Sequence, residues 1–119
     1  MAYEVEWAEE ATDDLRRTVS YLLYSLSSRE AAASFKVRVN AAVKRVAARP
    51  LALPKVPDAY LARRGYRRAM AGSYLLLFRV VEERARIVDD KVADRGMGDD
   101  GVVRVLHVFH SAQDYPGLM

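Results

Sequence analysis

The apolar residues of this chain change their period twice, and that switch limits the folds open to it. Tyr3-Glu4-Val5-Glu6-Trp7 alternates apolar and charged side chains, the repeat of a strand with one face buried. From there the repeat lengthens. Ala8, Ala11, Leu15, Val19, Leu22 and Leu26 recur every three or four residues, as one stripe of an amphipathic helix does. Ser27-Ser28-Arg29-Glu30 then has the Ser-x-x-Glu form of a capping box, with Ser27 and Glu30 satisfying the free amides of a new helix. That second helix sets Ala32, Phe35, Val39, Ala42, Val43 and Val46 on one face, and Lys36, Arg38, Lys44, Arg45 and Arg49 largely off it. Pro50 ends it, because proline lacks the amide and disfavours helix for the residue before it. So short a turn between the two helices predicts an antiparallel hairpin.

Beyond Pro50 the helical period is lost. Leu51 to Ala62, with Pro54 and Pro57, reads as an extended connection. Tyr66 to Ala71 and Tyr74 to Glu82 read as strands joined by Gly72-Ser73, a two-residue hairpin turn with glycine where positive φ is needed. Arg86-Ile87-Val88 reads as a short further strand, Asp89 to Gly101 as a loop, Val102 to His110 as a strong strand and Ser111 to Met119 as a tail. The order predicts an α+β fold: an antiparallel sheet, entered by an N-terminal strand, with a helical hairpin packed on one face. The 119 residues read as a single domain, residues 1–119.

Charge is distributed unevenly. Residues 1–14 carry six acids and no base, whereas residues 15–86 carry sixteen bases against four acids, a balance of +12. Residues 87–119 return to three bases against six acids. So basic a middle suggests an acidic or polyanionic partner; its plain alternative is helix faces kept soluble by Lys and Arg. The absence of cysteine removes disulfides and zinc–thiolate sites. The acidic start lacks the apolar region of a secretory signal, and no apolar run reaches the ~20 residues of a membrane span. The expectation is a cytoplasmic protein without a cofactor.

No phosphate-binding glycine loop, HExxH or GxSxG occurs in the sequence. Asp89-Asp90 and Asp99-Asp100 lack the spacing of a calcium loop and read as solvated turn residues, so no metal site is expected. Four arginines, Arg63, Arg64, Arg67 and Arg68, precede a highly apolar stretch. Strand alternation puts Arg67 and Arg68 on opposite faces, and Arg79 in the next strand could join a row of cations on the open face. Guanidinium groups hold phosphates bidentately at any physiological pH; solubilisation of an edge strand accounts for the same residues equally well. By parity His107 groups with Val103, Val105 and Phe109, and His110 with Arg104, Leu106 and Val108. His110, at the strand end, is the better candidate for a general acid or base. Tyr115 could stack on a base or orient a phosphate.

Several stretches together carry a family resemblance: "WAEEATDDLRRTVSYL" on the first helix, Ala48-Arg49-Pro50 closing the second, "GYRRAMAGSYLLLFRV" and the terminal "VLHVFHSAQDYPGLM". The strongest local matches are Tyr66-Arg67-Arg68, the hairpin Gly72-Ser73-Tyr74 and His110-x-x-x-Asp114-Tyr115. Over nearly its whole length the chain resembles the RelE/ParE superfamily, the toxins of bacterial type II toxin–antitoxin modules. The resemblance implies a growth-arresting toxin of a plasmid-stabilisation module. It also implies a cognate antitoxin that wraps an acidic or amphipathic segment around it in a hetero-oligomer.

Two modes of action follow from the resemblance. RelE-like members cleave mRNA in the ribosome; ParE-like members poison DNA gyrase and are not enzymes. For cleavage without a metal, His110 would serve as acid or base, Arg67 or Arg68 would hold the phosphate, and Tyr115 would complete the site. As a binding surface, Arg63, Arg64, Arg67, Arg68, Arg79, Tyr74 and Asp114 would face the partner. Family members with His-Gly-Arg-Arg-Asp-Tyr at the tail carry two cations there. This chain has His110-Ser111-Ala112-Gln113-Asp114-Tyr115 and lacks both. That loss, with Arg67-Arg68 following Gly65-Tyr66, favours gyrase inhibition, with ribosome-dependent mRNA cleavage as the alternative. An inactive member that only binds a partner is a further alternative. The loop from Asp89 to Gly101 is unusual for either branch.

Overall fold

A computed structural model describes residues 2–83 and 101–111. The expected Arg86-Ile87-Val88 strand, most of the acidic loop, and the tail residues Asp114 and Tyr115 lie outside the described residues. Strand β1 (Tyr3–Trp7) leads into helix α1 (Glu9–Ser20) and a π-helical turn (Tyr21–Ser25), followed by helix α2 (Arg29–Ala48). A 3-10 turn (Pro50–Ala52) and a short helix α3 (Ala59–Arg63) precede strands β2 (Arg67–Ala71), β3 (Tyr74–Glu83) and β4 (Gly101–His110). No described helix is long and apolar enough to cross a membrane.

The sheet order is β1-β4-β3-β2. The last three strands are antiparallel, as expected; β1 instead runs parallel to β4, with Val5 beside Val103 and Trp7 beside Val105, so the sheet is mixed. The first strand thus lies against the last, and the helical hairpin is the crossover that a parallel pair requires.

The hairpin covers one face of the sheet. Ala11 of α1 and Ala32, Phe35, Val39, Ala42 and Val46 of α2 are buried against Ala69, Ala71, Leu76, Phe78, Val103, Val105 and Val108. Tyr3, Val5 and Trp7 close this core from β1, as their alternation predicts. A smaller cluster lies on the other face, where Val56 and Leu61 pack on Leu75, Leu77 and Phe109.

Four local readings are corrected. Leu26, expected on the core stripe, is 52% exposed, because the π-helical turn shifts the helical period just before it. The N-cap of α2 is Ser28 rather than Ser27: the Ser28 hydroxyl accepts the Ala31 amide at 3.1 Å, while Ser27 takes a left-handed φ of 50° to reverse the chain. The connection after Pro50 is not wholly extended, since Asp58 caps α3 by accepting the Leu61 amide at 2.9 Å. Finally, β4 is bulged. Leu77 pairs with His107 but Phe78 with Val105, leaving Leu106 as an extra residue. The bulge breaks the simple parity. Val108 joins Val103 and Val105 on the helical face, whereas Phe109 belongs to the opposite cluster.

Candidate functional site

The arginines separate into groups. Arg67 shares the parity of Ala69 and Ala71, whose side chains face the hairpin, and its Nη1 donates to the Leu53 carbonyl at 2.6 Å. Arg68 has the opposite parity, beside Tyr66 of the second cluster, and its backbone amide donates to the Pro54 carbonyl at 3.1 Å. Arg79 shares that open face and lies over the Tyr66 ring at 5.8 Å, paired in register with Arg104. Arg104 in turn donates to Glu6 at 3.1 Å, so one cation of this row already has a counter-ion. Arg63 and Arg64 are exposed at the end of α3, with Arg64 bonded to the Tyr60 hydroxyl at 3.1 Å.

His110 is elsewhere. Its β3 partner is Tyr74, the two rings meeting edge to face at 5.2 Å, and Tyr74 meets Phe35 of α2 edge to face at 4.8 Å. These rings stand at the end of the sheet made by the β2–β3 turn, the last residue of β4 and the N-terminal half of α2. Beside them a cleft of about 140 Å³ is lined by Leu22, Ala31, Ser34, Phe35, Arg38, Ala71, Ser73 and Tyr74. Arg38 packs directly on the turn: a Cβ added to Gly72 would meet its Cδ and Nη1 at 2.8 Å. Gly72 is required twice, by that contact and by its φ of +65°.

The structure therefore brings Tyr74 and His110 together and keeps Arg68 apart from them. Arg68 is level with Leu77, three residues along β3 from Tyr74, and on the other face of the sheet. Among the described residues no group of acids and histidines could hold a metal ion.

Two residues escaped the sequence reading. Asp14 is 7% exposed within α1; its Oδ2 accepts the Val108 amide at 3.0 Å and meets His107 Nδ1 at 3.0 Å, and its Oδ1 accepts from Arg17. β1 ends at Trp7, opposite Val105, so the β4 edge beyond it has no strand partner, and this carboxylate takes the partner's place. Facing a carboxylate, the His107 ring donates through Nδ1–H. A charged residue inside the Ala11–Leu15 stripe was the available signal. Arg38 was read only as one of several helix cations; its position between Phe35 and Val39, at the margin of the apolar face, was the clue.

Residues 5–115 match the model of a family described as the ParE toxin of type II toxin–antitoxin systems, parDE. The chain belongs to that family. This ParE-family toxin is also similar in structure to a chain of the RelBE2 toxin–antitoxin complex from Mycobacterium tuberculosis. The TM-score is 0.51 at 21% identity, over 92% of this chain and 99% of that one. At that identity the likeness concerns the fold alone. No curated protein sequence matches the toxin.

Proposed function

We propose that this type II toxin arrests growth by binding and inhibiting DNA gyrase, and that a cognate antitoxin with an acidic or amphipathic segment holds it inactive. The observation that carries the target is the separation of His110 from Arg68, the cation that the cleavage reading pairs with it. Metal-free RNA cleavage requires an acid–base group and a phosphate-holding cation within reach of one scissile bond. His110 sits on the helical side at the sheet end, and Arg68 on the other face further along it. Arg67, the other phosphate candidate, is engaged with the Leu53 carbonyl. Membership of the ParE family points the same way. An antitoxin partner is supported by that membership and by the fold shared with a toxin–antitoxin complex. In this reading Arg63, Arg64, Arg68 and Arg79 form a binding surface on the α3 side.

The test is to induce the chain alone, follow growth and map transcript ends by primer extension, while purified protein is titrated into a gyrase supercoiling assay. Growth arrest with intact transcripts and lost supercoiling is expected, and His110→Ala is expected to retain both effects. New cuts within translated codons, abolished by His110→Ala, would show a ribosome-dependent nuclease instead.

A further inference from the structure

The apex of the helical hairpin runs against the periodicity of its own sequence. An unbroken helix would carry Leu26 onto the core stripe, but the π-helical turn Tyr21–Ser25 turns it outward. Tyr24 is 79% exposed, more than any other large apolar side chain among the described residues, and Tyr21 is 51% exposed. The apex is nonetheless firmly folded. Leu22 and Leu23, between the two tyrosines, pack into the core. The Leu26 amide donates to the Tyr21 carbonyl at 3.0 Å, and the Ser28 amide to the Leu22 carbonyl at 2.9 Å. Ser27 closes the turn at its left-handed φ of 50°, a conformation unfavourable for a residue with a side chain. An inserted helical residue, a strained serine and three outward apolar side chains all work against the stability of the free chain. Such features persist where a contact with another molecule uses them.

The charge around the apex has one sign. From Leu15 to Arg29 the chain carries Arg16, Arg17 and Arg29, all exposed, and no acid. Arg17, Tyr21 and Tyr24 follow at steps of four and three, so a cation and both tyrosines share one side of the helix; Arg17 also meets Asp14. Exposed tyrosines and an aliphatic side chain edged by arginines have the composition of a protein-binding hot spot. A second copy of the chain is a poor occupant, because a two-fold contact would set these arginines against themselves. A wrapping peptide is a poor one too, since a rigid, protruding turn needs a concave surface to receive it.

We infer that the hairpin apex anchors the toxin in a pocket on the folded surface of gyrase. Tyr24 enters the pocket with Tyr21 and Leu26 beside it, and acidic groups at the rim meet Arg16, Arg17 and Arg29. The assignment deepens the gyrase reading above and rests on it. It adds a contact on the helical side of the sheet to the arginine surface on the α3 side.

The experiment measures binding of the full-length toxin to immobilised gyrase at several salt concentrations, with supercoiling followed in parallel. Tyr24→Ser with Leu26→Ser removes the anchor, and Arg16→Glu with Arg29→Glu reverses the rim while sparing Arg17, which holds Asp14. Val37→Ser with Leu51→Ser removes two exposed apolar side chains elsewhere as a control. Thermal melts confirm that each variant folds. The anchor variant is expected to weaken gyrase binding on the order of 100-fold, with a matching loss of supercoiling inhibition. The rim variant should weaken binding about tenfold and flatten its salt dependence, and the control should bind as the wild type does. Tyr24→Phe, which keeps the ring, should retain most of the affinity. Unchanged binding by the anchor variant, or an equal loss in the control, overturns the assignment. So does an anchor variant that loses its antitoxin, or a wild-type self-association seen by sedimentation, while still binding gyrase. A wild-type toxin that neither binds nor inhibits gyrase removes the gyrase reading itself and this contact with it, a separate and recognisable result.

Discussion

Asp14 has its role because β1 is short. Five residues of parallel strand cover β4 only as far as Val105, and α1 starts at once, bringing a carboxylate to the amide that β1 leaves bare. Replacing Asp14 by Ala strands that amide and leaves the His107 ring without its acceptor. The expected loss is about 3 kcal/mol in urea unfolding, with Asp14→Asn milder because its amide oxygen can still accept. Gly72→Ala tests a different constraint, since it combines a left-handed φ with a Cβ forced against Arg38. A loss of about 1–2 kcal/mol is expected by the same method. At this scale the sequence was legible where one residue type has one common use, as at Gly72. Asp14 was not, because a buried acid is explained only by the backbone group it meets, and that group lies 94 residues away.

The elements follow from periodicity wherever the period is kept. Both faces of α2 and all four strands of the sheet were readable in this way. The misreadings fall where one residue is added to a regular run. The π-helical turn displaces Leu26 from the core, and the Leu106 bulge reverses which β4 side chains meet the helices. Each insertion is a tertiary compromise with no compositional signature. The capping pair gives a sharp check on element boundaries. Ser28→Ala is expected to lower stability by about 1 kcal/mol, since it removes the acceptor for the Ala31 amide. Ser27→Ala should leave the melting temperature nearly unchanged, because no hydrogen bond of its side chain would be lost. The sequence-based capping box demands the reverse order. The candidate site was half-legible for the same reason: Tyr74 and His110 lie at the start of β3 and the end of β4, which antiparallel pairing sets side by side, but the flank of α2 beside them depends on how the hairpin lies across the sheet.

Taken whole, the molecule joins its two sequence extremes. β1 and β4 pair Tyr3 with Gly101, and β4 is an interior strand flanked by β1 and β3. Removing the chain from residue 101 onward leaves β1 without a neighbour and β3 with one side bare. A 1–100 fragment is therefore expected to show no cooperative melt by circular dichroism and to cause no growth arrest. Pairing across so long an intervening segment also makes folding late as well as slow. A ribosome supplies β1 long before the strand that receives it. An interrupted message, whether broken, mistranslated or stopped early, yields a polypeptide without the middle of its sheet. The cell is thus exposed to the poison only once the message has been read through β4.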